Sequence, residues 1–123
     1  MQFNFEFAQD HLRAELFGCK TVEETLQFVE ALAAEARKHA SARILIWVRN
    51  SRPIFKLEQY KVSDQFKQLA SHNDVRVALL ADSDEVRASH QYIEVLASQQ
   101  GAQVRAFREE SRALNWLAAQ SQE

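Results

Sequence analysis

Apolar and polar positions alternate through the first 18 residues. Phe3, Phe5 and Phe7 fall on one side of an extended chain, with Asn4 and Glu6 on the other. A period of two specifies a strand with one covered face. After Gln9-Asp10, a tight-turn pair, Leu12, Ala14, Leu16 and Gly18 alternate with Arg13, Glu15 and Phe17, so a β-hairpin is expected. Thr21-Val22-Glu23-Glu24 has the spacing of a capping box. The helix it opens places Val22, Leu26, Val29, Ala33 and Ala36 on one stripe and Glu23, Glu30, Arg37 and Lys38 opposite, ending near His39. Phe28 falls beside that stripe and Phe17 on the minority face of its strand. Both read as completing the core rather than lining a pocket or a subunit contact.

Ile44-Leu45-Ile46-Trp47-Val48 breaks the alternation with five successive apolar residues. A strand covered on both faces reads this way, as a central parallel strand does. The run from Val75 to Ala81 is of the same kind, interrupted only by Arg76, and Gln103 to Phe107 alternates as an outer strand would. Helices are expected between and after these strands: Leu57 to about Ser71, Asp84 to Gln100, and Glu109 to Ala119. Gly101 stands where a left-handed cap closes the second of these. Hairpin, then alternating helices and strands, predicts right-handed crossovers onto one sheet. The fold class is α/β: a mixed, mostly parallel sheet of about five strands, an N-terminal hairpin and about four helices, in a single domain over residues 1–123.

Composition narrows the class further. Two Gly and one Pro in 123 residues leave no flexible linker, repeat or low-complexity tract. No stretch approaches the roughly 18 consecutive apolar residues of a membrane span, and the alternating, acidic N-terminus does not read as a signal peptide. The single cysteine, Cys19, has no internal partner, so a reducing, cytoplasmic setting is the simpler expectation. A net charge of −2 argues against nucleic acid or an anionic membrane as the partner.

The stretches ARILIWVR and VRVALLADSDEVRASHQYIEVLASQQGAQVRAFREESRALNWL resemble the SpoIIAA-like branch of the STAS superfamily. The closing VRAFREESRALNWL carries most of that likeness, and the leading hairpin and capped first helix match the same layout. The resemblance implies a four- or five-stranded sheet with helices wound between successive strands. It also implies a regulatory module that docks another protein. Its best-known members are anti-sigma-factor antagonists controlled by phosphorylation of a serine in an Asp-x-Ser-Gly-like segment after the central strand. Here that segment is Val48-Arg49-Asn50-Ser51-Arg52-Pro53. Ser51 stands near the expected place, but the acidic residue and the glycine are missing, and Pro53 bars a helix from opening as it does there. The phosphoswitch is therefore not carried over. This chain looks like a subgroup for which the resemblance supplies a fold and no activity; some distant relatives of similar shape, the CRAL-TRIO domains, hold lipids in a cavity.

Ligands of open α/β sheets bind beyond the carboxyl ends of the strands. Three segments meet there: Arg49-Asn50-Ser51-Arg52, Asp82-Ser83-Asp84-Glu85 and Arg108-Glu109. Guanidiniums beside helix N-termini suit a phosphate or carboxylate. The plainer reading pairs Arg108 with Asp82 and leaves Arg49 and Arg52 in solvent. The acidic run could hold magnesium, but Asp and Ser before a helix are its usual caps, and capping is preferred. His11, His39, His72 and His90 lack metal-ligand spacing, and His90 is expected to be a half-buried structural residue. Cys19 sits just before a helix, where a thiol pKa can fall, yet no His or second Cys accompanies it. With no nucleotide fingerprint or nucleophile–base pair, neither a cofactor nor an enzyme is expected. The chain reads as a non-enzymatic module that docks an unidentified protein through Asn50 to Ile54 and the exposed face of the helix at Asp84 to Gln100. The alternative is a binder of a small anionic or lipid-like ligand at Arg49, Arg52 and Arg108. A homodimer would suit a small domain of this kind.

Overall fold

The computed structural model describes residues 1–8, 10–53, 75–99 and 101–119. Its elements are β1 (Gln2–Ala8), β2 (His11–Phe17), α1 (Val22–His39), β3 (Arg43–Arg49), β4 (Arg76–Ala81), α2 (Asp84–Gln99), β5 (Gln103–Ala106) and α3 (Glu110–Ala118). The strands form one sheet in the order β1-β2-β3-β4-β5. β1 runs antiparallel to β2, and every later neighbour is parallel. This is the mixed α/β sheet that the hydrophobic pattern predicts. The helix expected from Leu57 to about Ser71 lies outside the described residues, as do Gln9, Ile54, His72, Gln100 and the tail from Gln120. Three helices stand among the described residues where about four were expected.

The unbroken apolar runs form the centre of the sheet. Every residue of β4 is buried, and in β3 the run Ile44–Ile46 and Val48 are. Ile44, Ile46 and Val48 face the same side as Val77, Leu79 and Ala81, where they meet α1 and α2. Leu45, Ala78 and Leu80 face the other side and meet Ala113 and Leu117 of α3.

α1 opens as its sequence predicts. The Thr21 hydroxyl accepts from the Glu24 N–H at 3.1 Å, and the Glu24 carboxylate accepts from the Lys20 N–H at 2.8 Å. The reciprocal bond thus closes one residue before the cap. The buried stripe differs from the expected one: it is Val22, Thr25, Phe28, Val29, Leu32 and Ala36. Phe28 is in the core, its ring 5.5 Å from Phe3 and 6.0 Å from Phe5. The aromatic row of the hairpin draws the helix round, leaving Leu26 and Ala33 partly buried.

α3 has nine residues, too few to hold as an isolated helix, and side chains from the sheet fasten both its ends. At its start, Glu110 accepts from the Trp47 indole N–H at 2.6 Å and from Arg13 at 3.1 Å. At its end, Arg43 donates to the Leu117 carbonyl at 2.8 Å, and Arg76 to those of Trp116 and Ala119 at 2.6 and 2.8 Å. These carbonyls include ones the helix cannot satisfy itself, and the cations suit its negative end. Arg76, the one charge in the β4 run, is buried for this reason.

The Trp47 hydrogen bond holds the Glu110 carboxyl below the usual carboxylate range, with burial opposing it and Arg13 assisting. A lowered pKa contributes stability above the unfolded-state value, and that contribution is lost as pH falls through the folded-state value. Glu110→Gln should therefore lower unfolding stability by about 1 kcal/mol at neutral pH, a charged hydrogen bond discounted for exposure. Denaturant unfolding at a series of pH values should show the gap from wild type closing in acid. A gap that persists there would assign the loss to packing of α3.

Candidate functional site

Backbone pairing between β2 and β3 continues past both strands. Gly18 N–H donates to the Arg49 carbonyl at 3.1 Å, and Arg52 N–H to the Cys19 carbonyl at 2.9 Å. Between them, the Ser51 hydroxyl accepts from the Cys19 N–H and donates to the Arg49 carbonyl, each at 3.0 Å. Asn50 takes a left-handed conformation, φ 48°, which asparagine tolerates better than most residues. Its N–H donates to the Asp82 carboxylate at 3.0 Å, and its carbonyl accepts from the Lys20 ammonium at 3.3 Å. The ends of β2, β3 and β4 are thereby tied into one surface.

Of the residues expected here, Asn50, Ser51 and Asp82 come together. Ser83 caps α2 by accepting from the Val86 N–H at 3.2 Å, the preferred reading of the acidic run. The guanidiniums diverge. Arg49 follows Leu45 and Trp47 onto the α3 side of the sheet, 3.1 Å from the Glu15 carboxylate and 4.1 Å from the Trp47 ring centroid. It is not left in solvent. Arg52 lies on the α1 and α2 side and is exposed. Arg108 is exposed just beyond β5, and among the described residues it makes no ion pair with Asp82, whose carboxylate goes to Asn50 instead.

Behind the loop is a cavity of about 40 Å³ between α1, α2 and the sheet. Ile46 and Leu79 form its floor, Phe28 and His90 line it from the helices, and Ser51 and Arg52 line it from the loop. Cys19 is also in its wall, buried, with Sγ 2.9 Å from the Thr25 hydroxyl. Burial pushes its thiol pKa up, against the opposing effect of the hydrogen bond with Thr25, so this is not an activated nucleophile. His90 is buried, with 7% exposed, rather than half-buried. Its Nδ1 has no hydrogen-bond partner among the described residues, and burial lowers its pKa to about 4. Cys19, Lys20 and His90 were not read as parts of this site. Only the position of Cys19 and Lys20, directly after a strand that neighbours the central one, signals them. Among the described residues no three His, Cys, Asp or Glu side chains gather to hold a metal ion, and no helix is long and apolar enough to cross a membrane.

No family model matches the chain, and no curated protein matches it. Among solved structures, it is similar to one titled "Structure of the Anti-Sigma Factor Antagonist SpoIIAA in its Unphosphorylated Form". The TM-score is 0.55 at 17% identity, over 98% of this chain and 100% of that one. The chain has the SpoIIAA-like STAS fold.

Because His90 is neutral when buried, the unfolded chain binds its proton first as pH falls. Stability should drop between pH 6.5 and about 4, with this residue contributing roughly 3 kcal/mol of the drop. His90→Leu should flatten that part of the profile, as read from denaturation midpoints. An unchanged slope would place the acid sensitivity elsewhere.

Proposed function

We propose that the chain is a non-enzymatic regulatory module that docks a protein partner through the loop from Asn50 to Pro53 and the exposed face of α2. The full-length likeness to the fold of an anti-sigma factor antagonist carries this reading. Two local features support it. The loop is braced by Ser51, Asp82 and Lys20, and a rigid surface loses little entropy on binding. It also presents the exposed Arg52 beside a helix whose outer face carries Glu85, Gln91 and Val95, the last 54% exposed. Ser51 acts here as a strut, since both capacities of its hydroxyl are engaged. A reducing, cytoplasmic setting suits the buried Cys19 thiol. Arg52→Glu and Val95→Glu should each weaken binding at least about tenfold, a loss of about 1.4 kcal/mol. The partner is first captured from extract of the native host, then titrated against the purified variants. Unchanged affinity in both would reject this surface.

A second reading, a small anionic or lipid-like ligand, is supported by the cavity. Its apolar floor lies next to Arg52 at the carboxyl ends of the strands, and its volume of about 40 Å³ would admit only the end of an apolar tail, with the carboxylate outside at Arg52. Thermal unfolding with octanoate should then show a midpoint that rises with the logarithm of concentration. Arg52→Ala should abolish the shift while Val95→Glu leaves it intact, which separates this reading from docking. No shift with octanoate would remove a short-chain carboxylate as the ligand.

A further inference from the structure

We infer that β1 is the interface of a homodimer in which two sheets join edge to edge, antiparallel, about a two-fold axis at Phe5. Among the described residues, β1 is the outer strand of the sheet and pairs only with β2. Exposed edges are usually guarded by charge, proline or short length. The opposite edge is guarded: β5 has four residues and carries the exposed Arg105. β1 has seven residues, and its only side-chain charge is Glu6. It also carries Phe3 and Phe7, 37% and 43% exposed, and follows Met1 at 38%. Those three are all but one of the large hydrophobic residues exposed among the described residues, Val95 being the fourth.

Paired over its whole length, the strand is complementary to itself. Pairing Gln2–Ala8 with its own copy over all seven residues places Phe5 opposite Phe5, Phe3 opposite Phe7 and Asn4 opposite Glu6. Directly opposed residues share a face, so the exposed rings of one protomer meet those of the other and no like charges oppose. Sliding the axis to Glu6 would set two carboxylates face to face, which is unfavourable. In the Phe5 register both α1 helices lie on one side of the joined sheet, flanking the aromatic row. The rings are already positioned: Phe3 against Phe28 at 5.5 Å, and Phe7 stacked on His39 at 4.9 Å. Little side-chain freedom remains to be lost on pairing. One ladder and one aromatic row are small beside the roughly 1,600 Å² of a standard interface, so the dimer forms in a concentration-dependent manner.

Light scattering and sedimentation across the micromolar to millimolar range test this. The mass of the wild type should rise from 14.2 kDa toward twice that value. Phe7→Lys should stay at the monomer mass with an unchanged circular dichroism spectrum. Because a lysine could disturb α1 instead, cross-linking provides a second measurement. Phe5→Cys places two thiols across the axis, where opposed Cα atoms are about 4.5–5.5 Å apart, within disulfide reach. Mild oxidation should yield a covalent dimer. Phe3→Cys should not, because its copy lies four residues along the strand, about 13 Å away. Mixing Phe3→Cys with Phe7→Cys should restore the cross-link. A wild type that stays monomeric throughout would overturn the inference, and so would a dimer that Phe7→Lys leaves intact. Equal cross-linking of Phe3→Cys and Phe5→Cys would overturn the register. Arg52→Glu and Val95→Glu should leave the dimer unchanged, so this test fails or succeeds apart from the docking surface.

Discussion

The burial of β3 and β4 on both faces is the constraint on which the rest of the structure depends. A strand covered on one side can leave its other side to water; Leu45 and Leu80, each 0% exposed, cannot. Burying a leucine contributes about 1.5–3 kcal/mol, so the face away from α1 and α2 needs a cover of its own. The cover is α3, whose nine residues are too few to hold as an isolated helix. Glu110 anchors its first turn to Trp47 and Arg13, and Arg43 and Arg76 donate to its last carbonyls. The polar side chains that interrupt otherwise apolar strands are thus what lets a short helix complete the second layer.

That dependence explains which parts of the fold were legible in the sequence. The unbroken runs around Leu45 and Leu80 announced central strands, the early alternation announced a hairpin, and Thr21 with Glu24 announced the start of α1. Arg76 could be seen only as an interruption. Its partners are carbonyls about forty residues away, and such bonds exist only after the chain has folded. The orientation of α1 was likewise beyond a periodicity argument. Phe28 and Leu26 both lie near the apolar side of the helix, and the Phe3 and Phe5 rings on the neighbouring strand decided between them.

At the site, position was easier to read than direction. The rule that ligands sit beyond the carboxyl ends of parallel strands placed Asn50, Ser51 and Asp82 together. Side-chain direction follows from alternation, and that signal was available: Leu45, Trp47 and Arg49 share a face, so Arg49 belongs with α3. Glu15, two residues along β2 from Arg13 on the same face, was its predictable partner. The burial of His90 was less accessible, because a histidine at the edge of an apolar stripe suits a half-buried position equally well. What distinguished them was how α2 lies against the sheet, which turns His90 inward to the cavity over Leu79 and Ile46.

The two ends of the parallel strands have different duties. At the amino ends, Arg43 and Arg76 are committed to α3, and replacing either would loosen the second layer. At the carboxyl ends, the loops bind chiefly one another, through Cys19, Ser51, Asn50 and Asp82. Arg52 contributes its backbone N–H to that bracing while its side chain stays exposed. Its side chain can therefore change without removing a bond that holds the loop. Ser51 and Asp82 cannot change so freely, because they form the brace. A surface whose frame is fixed and whose presented side chain is free can acquire a new partner at little cost to the fold, and among the loop residues Arg52 is in that position.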